Sequence, residues 1–291
     1  MVKVVFVGIL LLMAVYSIRL FRQLYRNRDS VSREKGEFWY YGLASVCAMF
    51  LGTFGISDSP ISMLFYRKGN RVDDELLPGT IIVAAILPVG TMALAFLGTV
   101  EVDPITLLAC VAAQTAGAVV GVKLIVHMNV RLLRLVMGIC LIGAAGLIIF
   151  RLFFFGIQGG GAEGLHSWKL AVAMAGFFVF GGLNMIGLGA TVPDMAILLL
   201  LGMSMRAVYP VVMAGNVVSC CFGAFQFLDE KSYAGKPAVM SFCGVLAVLA
   251  AVRYVNKVDV KYLQAGMVFL LLYCAGTMFL KNFREKGIDK V

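Results

Sequence analysis

The chain has 291 residues, 61% of them apolar and 14% charged, and its 25 Lys+Arg against 16 Asp+Glu give a net charge of +9. Soluble domains carry roughly 45–50% apolar and about 25% charged residues. The composition therefore excludes a disordered chain, a collagen-like chain and a soluble two-domain enzyme. The basic residues stand between long uncharged runs and not on one solvated face, which argues against nucleic acid and for an all-α polytopic membrane protein.

A helix crosses the hydrocarbon core with about 20 mostly apolar residues. In chain order, the first such segment is 4–18, which reaches that length if Lys3 and Arg19 snorkel at its ends. It lacks a small-x-small cleavage site. The positive cluster Arg19, Arg22, Arg26, Arg28, Arg33 and Lys35 follows it instead of preceding it, so a retained helix is predicted, with the basic loop in the cytoplasm. Further segments follow at 38–57, 76–100, 104–122, 135–150, 170–193, 207–228, 237–252 and 262–280, nine hydrophobic segments in all. Two apolar pieces, 59–66 and 195–205, are too short to cross, and each directly follows a long segment.

The chain also resembles itself. A shift of 132 residues lays Gly55-Ile56 on Gly187-Leu188, Met63 on Met195 and Pro78 on Pro210. A shift of 130 lays Val122-Lys123 on Val252-Arg253, Leu133 on Leu263 and Ala145-Gly146 on Ala275-Gly276. These matches divide the chain into an extra N-terminal helix with its basic cytoplasmic loop (1–37), a first repeat (38–155), a Gly-rich linker (156–167), and a second repeat with a basic tail (168–291). The linker has no following Lys-Ser/Thr and no preceding strand, so it is not a phosphate loop. Reading the first segment and short piece of each repeat as a re-entrant hairpin leaves three crossings per repeat. The Lys+Arg then divide 18 inside to 7 outside, as the positive-inside rule prefers, and the repeats are inverted.

Each hairpin contains a break in helical sequence. The first reads Gly52-Thr53-Phe54-Gly55-Ile56-Ser57-Asp58-Ser59-Pro60; the second runs from Gly181-Gly182-Leu183-Asn184 through Gly187-Leu188-Gly189-Ala190-Thr191 to Pro193-Asp194. Glycines permit unwound backbone, and a proline just inside a new helix lacks only an N–H that has no intrahelical partner. Ser57, Asp58, Ser59 and Thr191 are N-cap types. Unpaired backbone at membrane depth is tolerated where it is buried in protein or lines a wet cavity. Two breaks at matching positions point to a transport site near the midplane, where the starts of both half-helices offer N–H groups and positive dipole ends to a small anion.

Glycine-rich breaks followed by a helix-starting proline, twice, in two four-segment units, resemble the sulfite exporter TauE/SafE family of anion permeases. Gly55-Ile56 and Gly187-Leu188-Gly189 carry the likeness over about 38–283, while Ser57-Asp58-Ser59 and Ala190-Thr191 replace glycines of the family pattern. The resemblance implies a cell-membrane permease for sulfite, a sulfonate or another sulfur-containing anion. The expected partners are that solute and the lipid bilayer, with a coupling proton entering only through the reading of Asp58; no cofactor or nucleic acid is expected.

The substrate-binding candidates are Gly55, Ser57, Asp58, Ser59, Asn184, Gly187, Gly189, Thr191, Asp194 and Asn216. Asp58 is the candidate proton-coupling group, because a carboxylate in an anion site repels its ligand unless it carries a proton. The alternative role for Asp58 and Asp194 is to cap their own half-helices. Thr91, Gln114 and Thr115 are further hydrogen-bonding groups within spans, open to helix–helix or ligand contacts. Ala113-Gly117-Gly121 reads as a close-packing stripe, and the seven cysteines as small buried hydrophobes. Two histidines, His127 and His166, with no metal or haem spacing, argue against an enzyme. A cation or metal transporter using Asp58 and Asp194 is the alternative function.

Overall fold

The computed structural model describes residues 2–54, 58–97, 102–129, 160–187 and 189–254, with scattered helical positions within 131–149 and 272–280. Its named elements are helices: α1 (Val2–Arg26), α2 (Arg28–Arg33), α3 (Phe38–Gly52), α4 (Asp58–Arg67), α5 (Leu77–Leu97), α6 (Pro104–Val126), α7 (Ser167–Asn184), α8 (Thr191–Leu200), α9 (Met205–Asp229), α10 (Gly235–Val239) and α11 (Ser241–Val252). Five described spans are long and apolar enough to cross a membrane: Val5–Arg26, Leu77–Ala95, Pro104–Val126, Arg206–Asp229 and Gly235–Val252. Most of the segments expected at 135–150 and 262–280 lies outside the described residues.

Burial separates centre from periphery. The apolar window of α5 is 89% buried and that of α9 78%, against 17% for α1. A helix apolar on every side belongs in the middle of a bundle, and α5 and α9 pack on each other there. α1 attaches along one stripe, Ile9, Tyr16 and Leu20, with the Tyr16 hydroxyl donating to the Val83 carbonyl of α5 at 2.7 Å. Its opposite face exposes Leu11, Val15, Ile18 and Phe21, as a lipid-facing helix does.

Missing side chains set the closest helix contact. A Cβ on Gly117 of α6 would lie 1.8 Å from the Phe178 carbonyl oxygen of α7; one on Gly181 of α7 would lie 2.3 Å from the Gln114 carbonyl oxygen. Gly121 likewise faces Gly182. The predicted Gly117–Gly121 stripe is thus where two backbones touch, a contact that small residues make available in apolar surroundings. On the other flank, Gly244 of α11 fits against Ser45 and Met49 of α3 and Pro88 of α5.

α3 and α4 form one hairpin. The Tyr40 hydroxyl near the start of α3 donates to the Phe65 carbonyl near the end of α4, and the Tyr41 and Tyr66 rings lie 5.9 Å apart. α7 and α8 form another: Lys169 donates to the Leu201 carbonyl at 3.1 Å, and Gly176 faces Ile197. The open end of the first hairpin sits with the loops that precede α3, α5 and α10. There Lys35 pairs with Asp73 at 3.2 Å, the Glu34 carboxylate accepts from the Gly235 and Lys236 N–H groups, and Arg19 pairs with Asp229. The open end of the second sits with the loops around Asp103, Ala162 and Met203. There the Asp103 N–H donates to the Glu163 carbonyl and the Leu165 N–H to the Thr106 hydroxyl. The described part of the Gly-rich linker is therefore packed: Gly160 abuts Gly202, and Gly164 abuts Asp103.

Candidate substrate site between two helix breaks

The closed ends of the two hairpins meet inside the bundle around one cavity of about 30 Å³. Asp58 and Ser59 from the start of α4, Asn184 from the end of α7, Thr191 from the start of α8, and Asn216 and Cys220 from α9 make its polar wall. Ile82, Val89 and Met92 of α5 and Met213 of α9 make the apolar one. Gly52 and Gly189 contribute backbone. Six of the ten residues expected from sequence thus line one space: Asp58, Ser59, Asn184, Gly189, Thr191 and Asn216. Gly55 and Ser57 lie outside the described residues. Gly187 and Asp194 are buried beside the lining without belonging to it.

Local backbone explains the second break. Gly187 and Gly189 have φ of +88° and +77°, a region that costs an L side chain about 1–2 kcal/mol. Asn184 then bridges the unwound turn. Its Oδ1 accepts from the Ala190 N–H at 3.1 Å and its Nδ2 contacts the Cys220 sulfur at 3.3 Å, joining α7, the start of α8 and α9. Pro193 has no N–H to leave unpaired in the first turn of α8. At the first break, Gly52 allows the end of α3 to approach the start of α4, since a Cβ there would lie 3.3 Å from the Asp58 Cβ. Asp58 is the first residue of α4, where a carboxylate is favoured by the positive end of the helix dipole.

Thr191 departs from its expected role as an N-cap. It is the first residue of α8; the cap position is Ala190, whose N–H is taken by Asn184. The Thr191 hydroxyl instead accepts from Asn216 Nδ2 at 3.0 Å. Asn216 Oδ1 accepts from Gln114 Nε2 at 2.8 Å, and the same amide nitrogen donates to Asp194 Oδ2 at 2.8 Å. Four side chains from α6, α8 and α9 thereby form one buried chain, Thr191–Asn216–Gln114–Asp194. Gln114 fits only because position 215 is glycine; a Cβ there would lie 2.1 Å from Gln114 Oε1. Asp194 Oδ1 and Gln114 Oε1 are buried without a hydrogen-bond partner among the described residues.

Thr91 and Thr115 do not join this chain, because each hydroxyl donates to the carbonyl one turn back in its own helix, Leu87 and Val111. Cys220 is more than a space-filler, since it lines the cavity and contacts Asn184. Cys47 and Cys243 are only half-buried. Among the described residues, no three His, Cys, Asp or Glu side chains cluster as metal ligands would.

Long apolar helices around a buried polar cavity, entered by two broken hairpins, define a multi-pass membrane transporter. The chain belongs to the sulfite exporter TauE/SafE family, whose model matches residues 1–148 and 72–278. The matched region includes α1. No curated protein and no solved structure gives a significant match. Membership makes the chain an integral protein of the cell membrane and a permease of the anion-transporting type.

Proposed function

We propose that the chain is a secondary transporter carrying a small sulfur-containing anion, sulfite or a sulfonate, bound between the two helix breaks. The observation that carries this reading is the convergence of both breaks on one cavity, with the starts of α4 and α8 at its wall. Helix starts expose N–H groups and a positive dipole end, which suit an oxyanion. Ser59, Thr191 and Asn216 add uncharged hydrogen-bonding groups. About 30 Å³ holds little more than one water, so an anion of four or more heavy atoms requires the walls to part.

Inverted repeats fit the same reading. The two hairpins open at opposite ends of the bundle, and small residues pair the helices across matching contacts, α6 with α7 and α3 with α11. The end holding Arg19, Lys35, Lys231 and Lys236 is the cytoplasmic one by the positive-inside rule. One hairpin then enters from each side of the membrane, and rocking of the repeats about the cavity exposes it alternately.

Asp58 is the proposed coupling group. Its carboxylate stands in the first turn of α4 and lines the cavity. A proton on it removes a like charge from the site and lets the positive end of the helix dipole act on the substrate. Asp194, Gly187 and the break residues Gly55 and Ser57 complete the proposed substrate-binding set.

The test is a thermal-shift screen of purified protein with sulfite, thiosulfate, sulfoacetate and taurine beside divalent cations. A ligand of the folded state raises the melting temperature as its concentration passes Kd. Stabilisation by a sulfur oxyanion supports the reading. Stabilisation by divalent cations alone supports the cation-transporter alternative based on Asp58 and Asp194.

A further inference from the structure

A second and much larger cavity, about 860 Å³, lies where the C-terminal end of α1 meets the C-terminal end of α9. Its basic lining is Arg19, Arg22 and Arg26, one face of α1 at helical spacing, and Lys231 from the loop after α9. The one acid in the lining, Asp229, is already paired with Arg19. Arg22, Arg26 and Lys231 have no acidic partner among the described residues. Gln23 holds the groove together by donating to the Leu228 carbonyl at 2.8 Å.

The groove changes character along its length. Toward the middle of α1 it is walled by Val15 and Ile18, which are 56% and 54% exposed and continue the bare apolar face of that helix. Toward the basic loops it is walled by the arginines. A free oxyanion needs only the cationic end. A molecule with a phosphodiester joined to acyl chains matches both ends, with the phosphate at interface depth and the chains along Val15 and Ile18.

We propose that this groove binds an anionic phospholipid, its headgroup phosphate held by Arg22, Arg26 and Lys231, so that a lipid wedges α1 against α9. Each juxtamembrane basic residue contributes about 1 kcal/mol to attraction of anionic lipid, close to fivefold in affinity. This inference does not depend on which solute is carried.

The test is native mass spectrometry of the full chain released from detergent, titrated with phosphatidylglycerol and phosphatidylcholine of identical acyl chains. Wild type should retain phosphatidylglycerol preferentially. The double variant Arg22→Ala/Arg26→Ala should lose that preference by roughly twenty-five-fold, while Arg22→Lys/Arg26→Lys keeps most of it. Circular dichroism of each variant establishes that it is folded. Equal retention of the two lipids, or a preference untouched by the alanine pair, overturns the proposal. So does displacement of the lipid by millimolar inorganic phosphate, which would make the groove a free-anion site.

Discussion

Gln114 Nε2 donates to Asp194 Oδ2 at 2.8 Å, tying α6 to the broken hairpin formed by α7 and α8. The same nitrogen serves Asn216 on α9, so one amide holds three helices at the depth of the cavity. Removing it leaves two buried acceptors without a donor, at about 1–3 kcal/mol each. Gln114→Leu should lower the thermal unfolding midpoint clearly. An unchanged midpoint would show that the chain of hydrogen bonds from Thr191 to Asp194 contributes nothing to stability.

Backbone conformation at the second break gives a separate test. Gly189 has φ of +77° and forms part of the cavity wall. Gly189→Ala should cost about 1–2 kcal/mol from conformation alone, and its methyl group should also impair transport. Gly161→Ala is the control, because nothing lies within 4 Å of the added carbon. Paired unfolding and proteoliposome flux measurements should find the control near wild type and Gly189→Ala impaired in both.

Close approach of α6 and α7 is the next consequence. The added carbon of Gly117→Ala would overlap the Phe178 carbonyl oxygen, and overpacking of this kind costs typically 1–3 kcal/mol. The variant should unfold at lower temperature than wild type. Full wild-type stability would mean that the two backbones are not in contact there.

Acid sensitivity has a visible source outside the spans. The Thr106 hydroxyl and N–H donate to the Asp103 carboxylate, at 2.5 and 2.9 Å, and hold its pKa below the ordinary carboxylate range. A depressed folded pKa stabilises fully above the unfolded value near 4 and is lost as pH falls through the folded value. Stability should therefore decline below about pH 4, and Asp103→Asn should flatten that part of the profile. Asp103 is half-buried, so water still screens the interaction and the effect is small. A steeper decline in Asp103→Asn than in wild type would contradict the assignment.

Much of this arrangement is legible in sequence because it rests on backbone chemistry. Glycine clusters before Pro60 and Pro193 announce the breaks, and Gly117–Gly121 announces a close helix contact. The side-chain network is less legible, because it depends on which helix faces meet. Gln114 stands among Ala, Gly and Val with nothing to mark its partner, which is 80 residues away. Thr191 looks like a cap until Asn184, from the other side of the break, takes the Ala190 N–H and leaves the threonine hydroxyl for Asn216. Cys220 resembles any other small apolar residue in a span, and only the tertiary structure turns it toward Asn184.

Proton coupling is tested by Asp58→Asn in proteoliposomes. The asparagine cannot exchange a proton, so flux driven by an imposed pH gradient should be lost while exchange of anion for anion persists. Unaltered pH-gradient-driven flux would remove Asp58 from the coupling step.

The most direct measurement of the central claim is calorimetric titration of the purified chain with sulfite under nitrogen, beside Gly189→Val, which puts a branched side chain on a cavity-lining residue with φ of +77°. Wild type should bind saturably at one site per chain, and the variant, shown to be helical by circular dichroism, should not bind. Equal binding by both proteins would place the anion somewhere other than between the two breaks.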